Sequence, residues 1–98
     1  MEINDNLDSR TRIIEILRNE LIVLRAKARV SQEEIAEKIG ISRQTYSAIE
    51  RGKREMSWIT FLALSAFFQN NESTSQMLDS IDGLSPGVKH FVEKEQLK

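Results

Sequence analysis

The stretch SQEEIAEKIGISRQTYSAIERGKR, residues 31–54, constrains the fold more than any other part of this chain, because it carries the start and stop signals of two short helices back to back. Ser31 has the hydroxyl of an N-cap, Glu34 stands three residues on where it completes a capping box, and Val30 can staple onto Ile35. Ile35, Ala36 and Ile39 then form one inward stripe. Gly40 stops the helix, since the residue that closes a helix often takes positive φ, which glycine adopts without strain. The device repeats at once. Ser42 caps the next helix, Ile41 and Tyr46 make its staple, and Ile49 continues the inward face one turn later. Arg43, Gln44, Ser47, Ala48 and Arg51 are left facing outward.

The flanking sequence reads as further helices. From about Asp8 to Ala28 the residues Ile13, Ile14, Leu17, Leu21, Leu24 and Ala28 recur at three- and four-residue steps with no Gly or Pro between them, which predicts one long helix. Ser57 caps a fourth helix whose Trp58, Phe61, Leu62, Leu64, Phe67 and Phe68 make it the most apolar segment and the expected centre of packing. QNNEST, residues 69–74, is the clearest loop, and it contains no turn-defining Gly. A fifth helix with Met77, Leu78 and Ile81 inward and Gly83 as its stop should follow; Ser85 and Pro86 look like the opening of a last helix carrying Val88, Phe91 and Val92. At 98 residues, 40% hydrophobic, with four Gly and one Pro, the chain is a single all-α domain by these signs.

Several function classes drop out. Without cysteine there is no disulfide framework, thiolate metal site or cysteine nucleophile. The lone His90 has no second ligand beside it, no nucleophile elbow or phosphate-cradling glycine loop is present, and neither enzyme activity nor a metal or cofactor is expected. The acidic start MEINDNLDSR is unlike a leader, and no apolar run reaches membrane-spanning length, so a cytoplasmic protein is expected.

Charge points elsewhere. The net charge is −1, yet residues 25–54 hold eight Lys or Arg against four Glu, leaving the excess acid in the rest of the chain. Phosphate attraction follows such a local face more than the total. In a helix-turn-helix the second helix enters the major groove while the first crosses behind it, so the pair must pack closely. That geometry asks for a small residue at the contact (Ala36), a positive-φ residue at the turn (Gly40), an apolar plug after it (Ile41) and two inward anchors (Tyr46, Ile49), all of which are present. Arg43 can fork onto guanine O6 and N7, and Gln44 onto adenine N6 and N7.

Residues 21–68 resemble the Xre (Cro/CI) family of helix-turn-helix regulators: LIVLR is similar to its first helix, residues 31–54 to its two motif helices and following loop, and SWITFLALSAFF to its fourth helix. Tyr46 stands where the family more often has an aliphatic residue, and Met56 where it commonly has Pro. The resemblance implies a five-helix lambda-repressor-like domain; outside it, the sequence pattern adds an extended N-terminal helix and an extra C-terminal helix. The expected organisation is an N-terminal extension at 1–17, a DNA-binding domain at 18–82, and a C-terminal helix at 83–98 that is a candidate for dimerisation.

It also implies base reading by Arg43, Gln44, Ser47 and Ala48, the last against a thymine methyl, and backbone contact by Gln32, Ser42, Arg51, Lys53 and Arg54, with Gln32 alternatively buttressing the recognition helix. The expected function is sequence-specific binding of a double-stranded DNA operator, as a homodimer and as a transcriptional repressor acting at the nucleoid. A protein-interaction module or an antitoxin component built on the same fold is the alternative. Surplus apolar residues for a subunit interface lie in Ile13, Ile14 and Leu17 and in Val88, Phe91 and Val92.

Overall fold

A computed structural model of the chain describes the backbone of residues 2–84 and the side chains of residues 9–84. Five helices follow one another: α1 (Glu2–Ala28), α2 (Gln32–Ile39), α3 (Arg43–Glu50), α4 (Trp58–Gln69) and α5 (Ser75–Ser80). There is no strand among the described residues. The all-helical, lambda-repressor-like class is the expected one. The C-terminal helix expected from Ser85 onward, with Val88, Phe91 and Val92, lies outside the described residues.

Every serine cap predicted for α2, α3 and α4 is made. Ser31 Oγ accepts from the Glu34 amide at 3.0 Å while Glu34 Oε1 accepts from the Ser31 amide at 2.8 Å, the full capping box. Ser42 and Ser57 Oγ accept from the Thr45 and Thr60 amides at 3.0 and 3.1 Å. Each cap satisfies an amide that a helix start leaves open, and its loss costs about 1 kcal/mol.

The first three helices also end alike. At each end a residue with left-handed backbone donates its N–H three positions back, and the next residue donates five positions back, the paired bonds of a Schellman turn. The closing residues are Arg29 (φ 60°), Gly40 (φ 83°) and Gly52 (φ 76°). The paired bonds are Arg29 to Ala26 and Val30 to Arg25 for α1, Gly40 to Glu37 and Ile41 to Ala36 for α2, and Gly52 to Ile49 and Lys53 to Ala48 for α3.

Ile13, Leu17, Leu21 and Leu24 of α1 meet Ile35 and Ala36 of α2, Tyr46 and Ile49 of α3, and Phe61, Leu64 and Phe68 of α4 in one buried core. The stapling residues Val30 and Ile41 are half-buried against it. α4 packs on α1, α2 and α5, as its composition suggested. Trp58 stacks on Phe61 with ring centroids 4.8 Å apart, and the Arg10 guanidinium caps the Trp58 ring at 4.5 Å.

Two boundaries differ from expectation. α1 begins at Glu2, not near Asp8, and passes without a break through residues 17 and 18; the polar residues ahead of Ile13 give no packing signal, but none of them stops a helix. α5 ends at Ser80, not at a Gly83 stop. Ile81 turns extended (φ −71°, ψ 121°), and Gly83 (φ 80°) instead serves a second turn in which the Leu84 amide bonds the Ile81 carbonyl and Leu84 becomes fully buried. The glycine-free loop before α5 is held by side chains: Thr74 Oγ1 donates to the Phe68 carbonyl at 2.8 Å and Asn71 Oδ1 accepts from the Ser73 amide at 2.9 Å.

Candidate nucleic-acid interface

α3 is fixed from beneath by a polar cluster of which only Gln32, as a possible buttress of this helix, was expected from the sequence. Glu50, on the same inward side as Tyr46 and Ile49, is buried. Its carboxylate accepts from Arg25 Nε at 2.9 Å and Arg25 Nη2 at 3.1 Å, from Gln32 Nε2 at 2.8 Å and from the Tyr46 hydroxyl at 2.8 Å. Arg25 Nη1 donates in addition to the Val30 carbonyl at 3.2 Å. One carboxylate therefore joins α1, the first residue of α2, and α3, and Arg25 ties the corner before α2 to the same cluster.

Burial, the largest single influence on Glu50, pushes its pKa up, but the hydrogen bonds from Arg25, Tyr46 and Gln32 with the charge of Arg25 outweigh it and hold the carboxyl below its ordinary value. Burial, followed by the bond to Glu50 and its charge, drives the Tyr46 phenol well above its own. The hydrogen bond to Glu50 is the main reason that the Arg25 pKa is raised.

Above this support the outward side of α3 is open. Arg43 and Gln44 are exposed, and Ser47 and Ala48 are half-buried. Arg43, Gln44, Ser47 and Arg51 line one shallow depression. Arg43 also lines the neighbouring one with Arg25, Ser31, Gln32 and Glu33, so the face runs unbroken from α3 to the start of α2. Gln32 reaches this face while bonding Glu50, which leaves its second amide hydrogen for an outside acceptor. Arg51 folds back, Nε to the Ser47 carbonyl at 3.3 Å. The Ser42 hydroxyl is engaged twice, accepting from the Thr45 amide and donating to Thr45 Oγ1 at 2.9 Å.

Lys53 and Arg54 are exposed but do not share that depression. They lie with Gly52, Glu55 and Met56 along a groove whose other wall is Thr11, Ile14, Glu15 and Arg18 of α1. Their amides both bond the Ala48 carbonyl, at 2.8 and 3.3 Å, which fixes the loop to α3. The basic excess of residues 25–54 survives in the fold, because the Arg25–Glu50 pair removes one charge of each sign.

The chain is similar to known proteins over its middle part. A family model described as helix-turn-helix matches residues 21–73, just over half of the chain. A protein of Methanocaldococcus jannaschii named as an uncharacterized HTH-type transcriptional regulator is 40% identical over 52 residues, covering 53% of this chain and 79% of that protein. No solved structure matches the chain.

Proposed function

The chain belongs to the Xre (Cro/CI) family of helix-turn-helix proteins, and on that premise we propose that it is a sequence-specific, double-stranded DNA-binding transcriptional repressor that acts as a homodimer. The observation that carries this reading is the continuous outward face of Arg43, Gln44, Ser47 and Arg51, set on a helix whose underside is clamped by Glu50. The relative's name as a transcriptional regulator supports the same reading.

In the bound state α3 lies in the major groove with its first turn against the base edges. Arg43 forks onto a guanine, Gln44 onto an adenine, Ser47 donates or accepts, and the Ala48 methyl meets a thymine methyl. Gln32 keeps one amide hydrogen on Glu50 and turns the other to a phosphate. Arg51, Lys53 and Arg54, with Ser42 at the start of the helix, grip the backbone and set the register. Because Glu50 fixes α3 before DNA arrives, little ordering of the reading helix remains to oppose binding.

The test separates reading from gripping. A preferred duplex is first selected from a random pool, then Arg43→Ala and Lys53→Ala are compared on it and on point-substituted versions at several salt concentrations. Arg43→Ala should cost roughly 1 to 3 kcal/mol on the preferred site and relax discrimination mainly at one base pair per half-site. Lys53→Ala should weaken all sequences alike and reduce the salt slope by about one per protomer. If neither substitution changes binding, α3 is not a DNA-reading helix and the face belongs to a protein-interaction module.

A further inference from the structure

We propose that Arg29 is a phosphate-gripping residue at the corner between α1 and α2, adding a backbone contact to the DNA interface of α3; the proposal rests on the DNA-binding reading of that interface. Three successive helices close with the same pair of hydrogen bonds around a left-handed residue. In two of them that residue is glycine, Gly40 and Gly52. In the first it is Arg29, the one positive-φ residue among the described residues that is not glycine. A side chain in this region crowds its own carbonyl, and arginine has none of the short-range hydrogen bonding that lets Asn or Asp tolerate it. Glycine would close α1 with the same backbone bonds and no strain, so the arginine at this position carries a cost that a role of its side chain outside the fold would account for.

Nothing among the described residues supplies compensation for that cost. Arg29 is exposed, and its guanidinium makes no hydrogen bond or ion pair with the described residues, where Arg25 and Arg18 have carboxylate partners. The surroundings suit an external anion. Arg29 precedes the N-cap Ser31 by two residues, which puts its backbone within about 7 Å of the start of α2. Ser31 and Gln32 line the depression that continues to Arg43. The corner is also rigid with respect to the reading helix, because Arg25 donates to the Val30 carbonyl with one nitrogen and to Glu50 of α3 with two others. The backbone that carries Arg29 therefore keeps a fixed position relative to α3. A polyanion lying along the face meets Arg29 beside the α2 terminus, where fixed positive charge matches a regularly spaced phosphate chain.

The experiment uses Arg29→Gly and Arg29→Lys in the full chain, with thermal melting and binding to the selected duplex and to random duplex across a salt series. Arg29→Gly relieves the strain and removes the charge together, so its melting temperature should rise by several degrees while binding weakens roughly two- to fivefold on both duplexes. Its salt slope should fall by about one per protomer. Arg29→Lys keeps the charge and should bind like the parent. Higher melting with weaker binding cannot come from a residue that acts only on the fold. If Arg29→Gly binds with the affinity and salt slope of a parent that itself binds DNA, this inference alone is overturned. Melting and binding that fall together would make Arg29 a structural residue and overturn it as well. A parent chain that binds no duplex overturns the reading of α3, and this proposal with it.

Discussion

Glu50 is the acceptor on which four donors from three helices converge, so its removal and the removal of one donor should have very different consequences. Glu50→Ala leaves the Arg25 guanidinium, with only 22% of its side chain exposed, facing no counter-charge, and leaves the Tyr46 hydroxyl and one Gln32 amide hydrogen without their acceptor. Breaking a largely buried pair from one side costs about 3 kcal/mol or more. Tyr46→Phe takes away one donor and leaves the carboxylate with three, for about 1.5 kcal/mol. The ordering is checked by denaturant titration of both variants, and equal losses would show that the carboxylate is not the organising centre.

The acid side of the same prediction follows from the depressed pKa of Glu50. A group whose folded pKa lies below its unfolded one contributes its full stability above the ordinary carboxylate range and loses it as pH falls through the folded value. Melting of the parent should therefore decline toward low pH, and Glu50→Ala should flatten part of that decline. Tyr46 was readable as an inward residue from its spacing with Ile49, but its partner was not. Glu50 and Arg25 are 25 positions apart, each looks like ordinary surface charge, and no period or local motif links them.

At the scale of elements, what the sequence made legible is what short-range chemistry decides. The serine caps, the capping box at Glu34 and the stop at Gly40 each depend on residues within one turn, and all three take the expected geometry. The end of α5 depends instead on Leu84 reaching the core beside α1, a contact with no local signature, so Gly83 was read as a helix stop when it turns the chain inward. The two glycine closures flanking α3 also differ in a way that only packing reveals. A Cβ on Gly40 would meet open space, so Gly40→Ala should carry backbone strain alone, about 1 kcal/mol, and Gly40→Val somewhat more. A Cβ on Gly52 would come 3.2 Å from the Arg18 guanidinium as well as taking positive φ. Gly52→Ala should therefore add displacement of Arg18 to a similar strain, and weaken salt-dependent binding through the loop of Lys53 and Arg54 more than its melting loss explains. Melting and salt-titrated binding of the pair test this, and identical binding per degree of melting lost would mean that Arg18 and the loop are not coupled.

At the scale of the molecule, the proposed homodimer decides how one small body would reach a whole operator. Its two shorter dimensions are 28 and 26 Å, so two copies side by side place equivalent helices on the order of one DNA turn apart, the spacing of paired half-sites. No helix among the described residues is long and apolar enough to cross a membrane. Of Ile13, Ile14 and Leu17, one of the two candidate interface segments in the sequence, Ile13 and Leu17 are spent in the core, and Ile14 is half-buried against it. The other candidate, Val88, Phe91 and Val92, lies beyond Leu84. The full chain should then sediment as a dimer at micromolar concentration, and a chain ending at Leu84 as a monomer that still melts cooperatively, since the buried core of the described residues lies between Ile13 and Leu84. On a duplex with two half-sites the shortened chain should lose affinity by on the order of 100-fold, because the second contact is no longer made at high effective concentration. On a single half-site the two should bind alike. A shortened chain that remains dimeric would move the interface onto the described helices, where Ile22, Val23 and Ile59 are the exposed large apolar residues. A full chain that is monomeric would instead remove the homodimer from the proposal altogether.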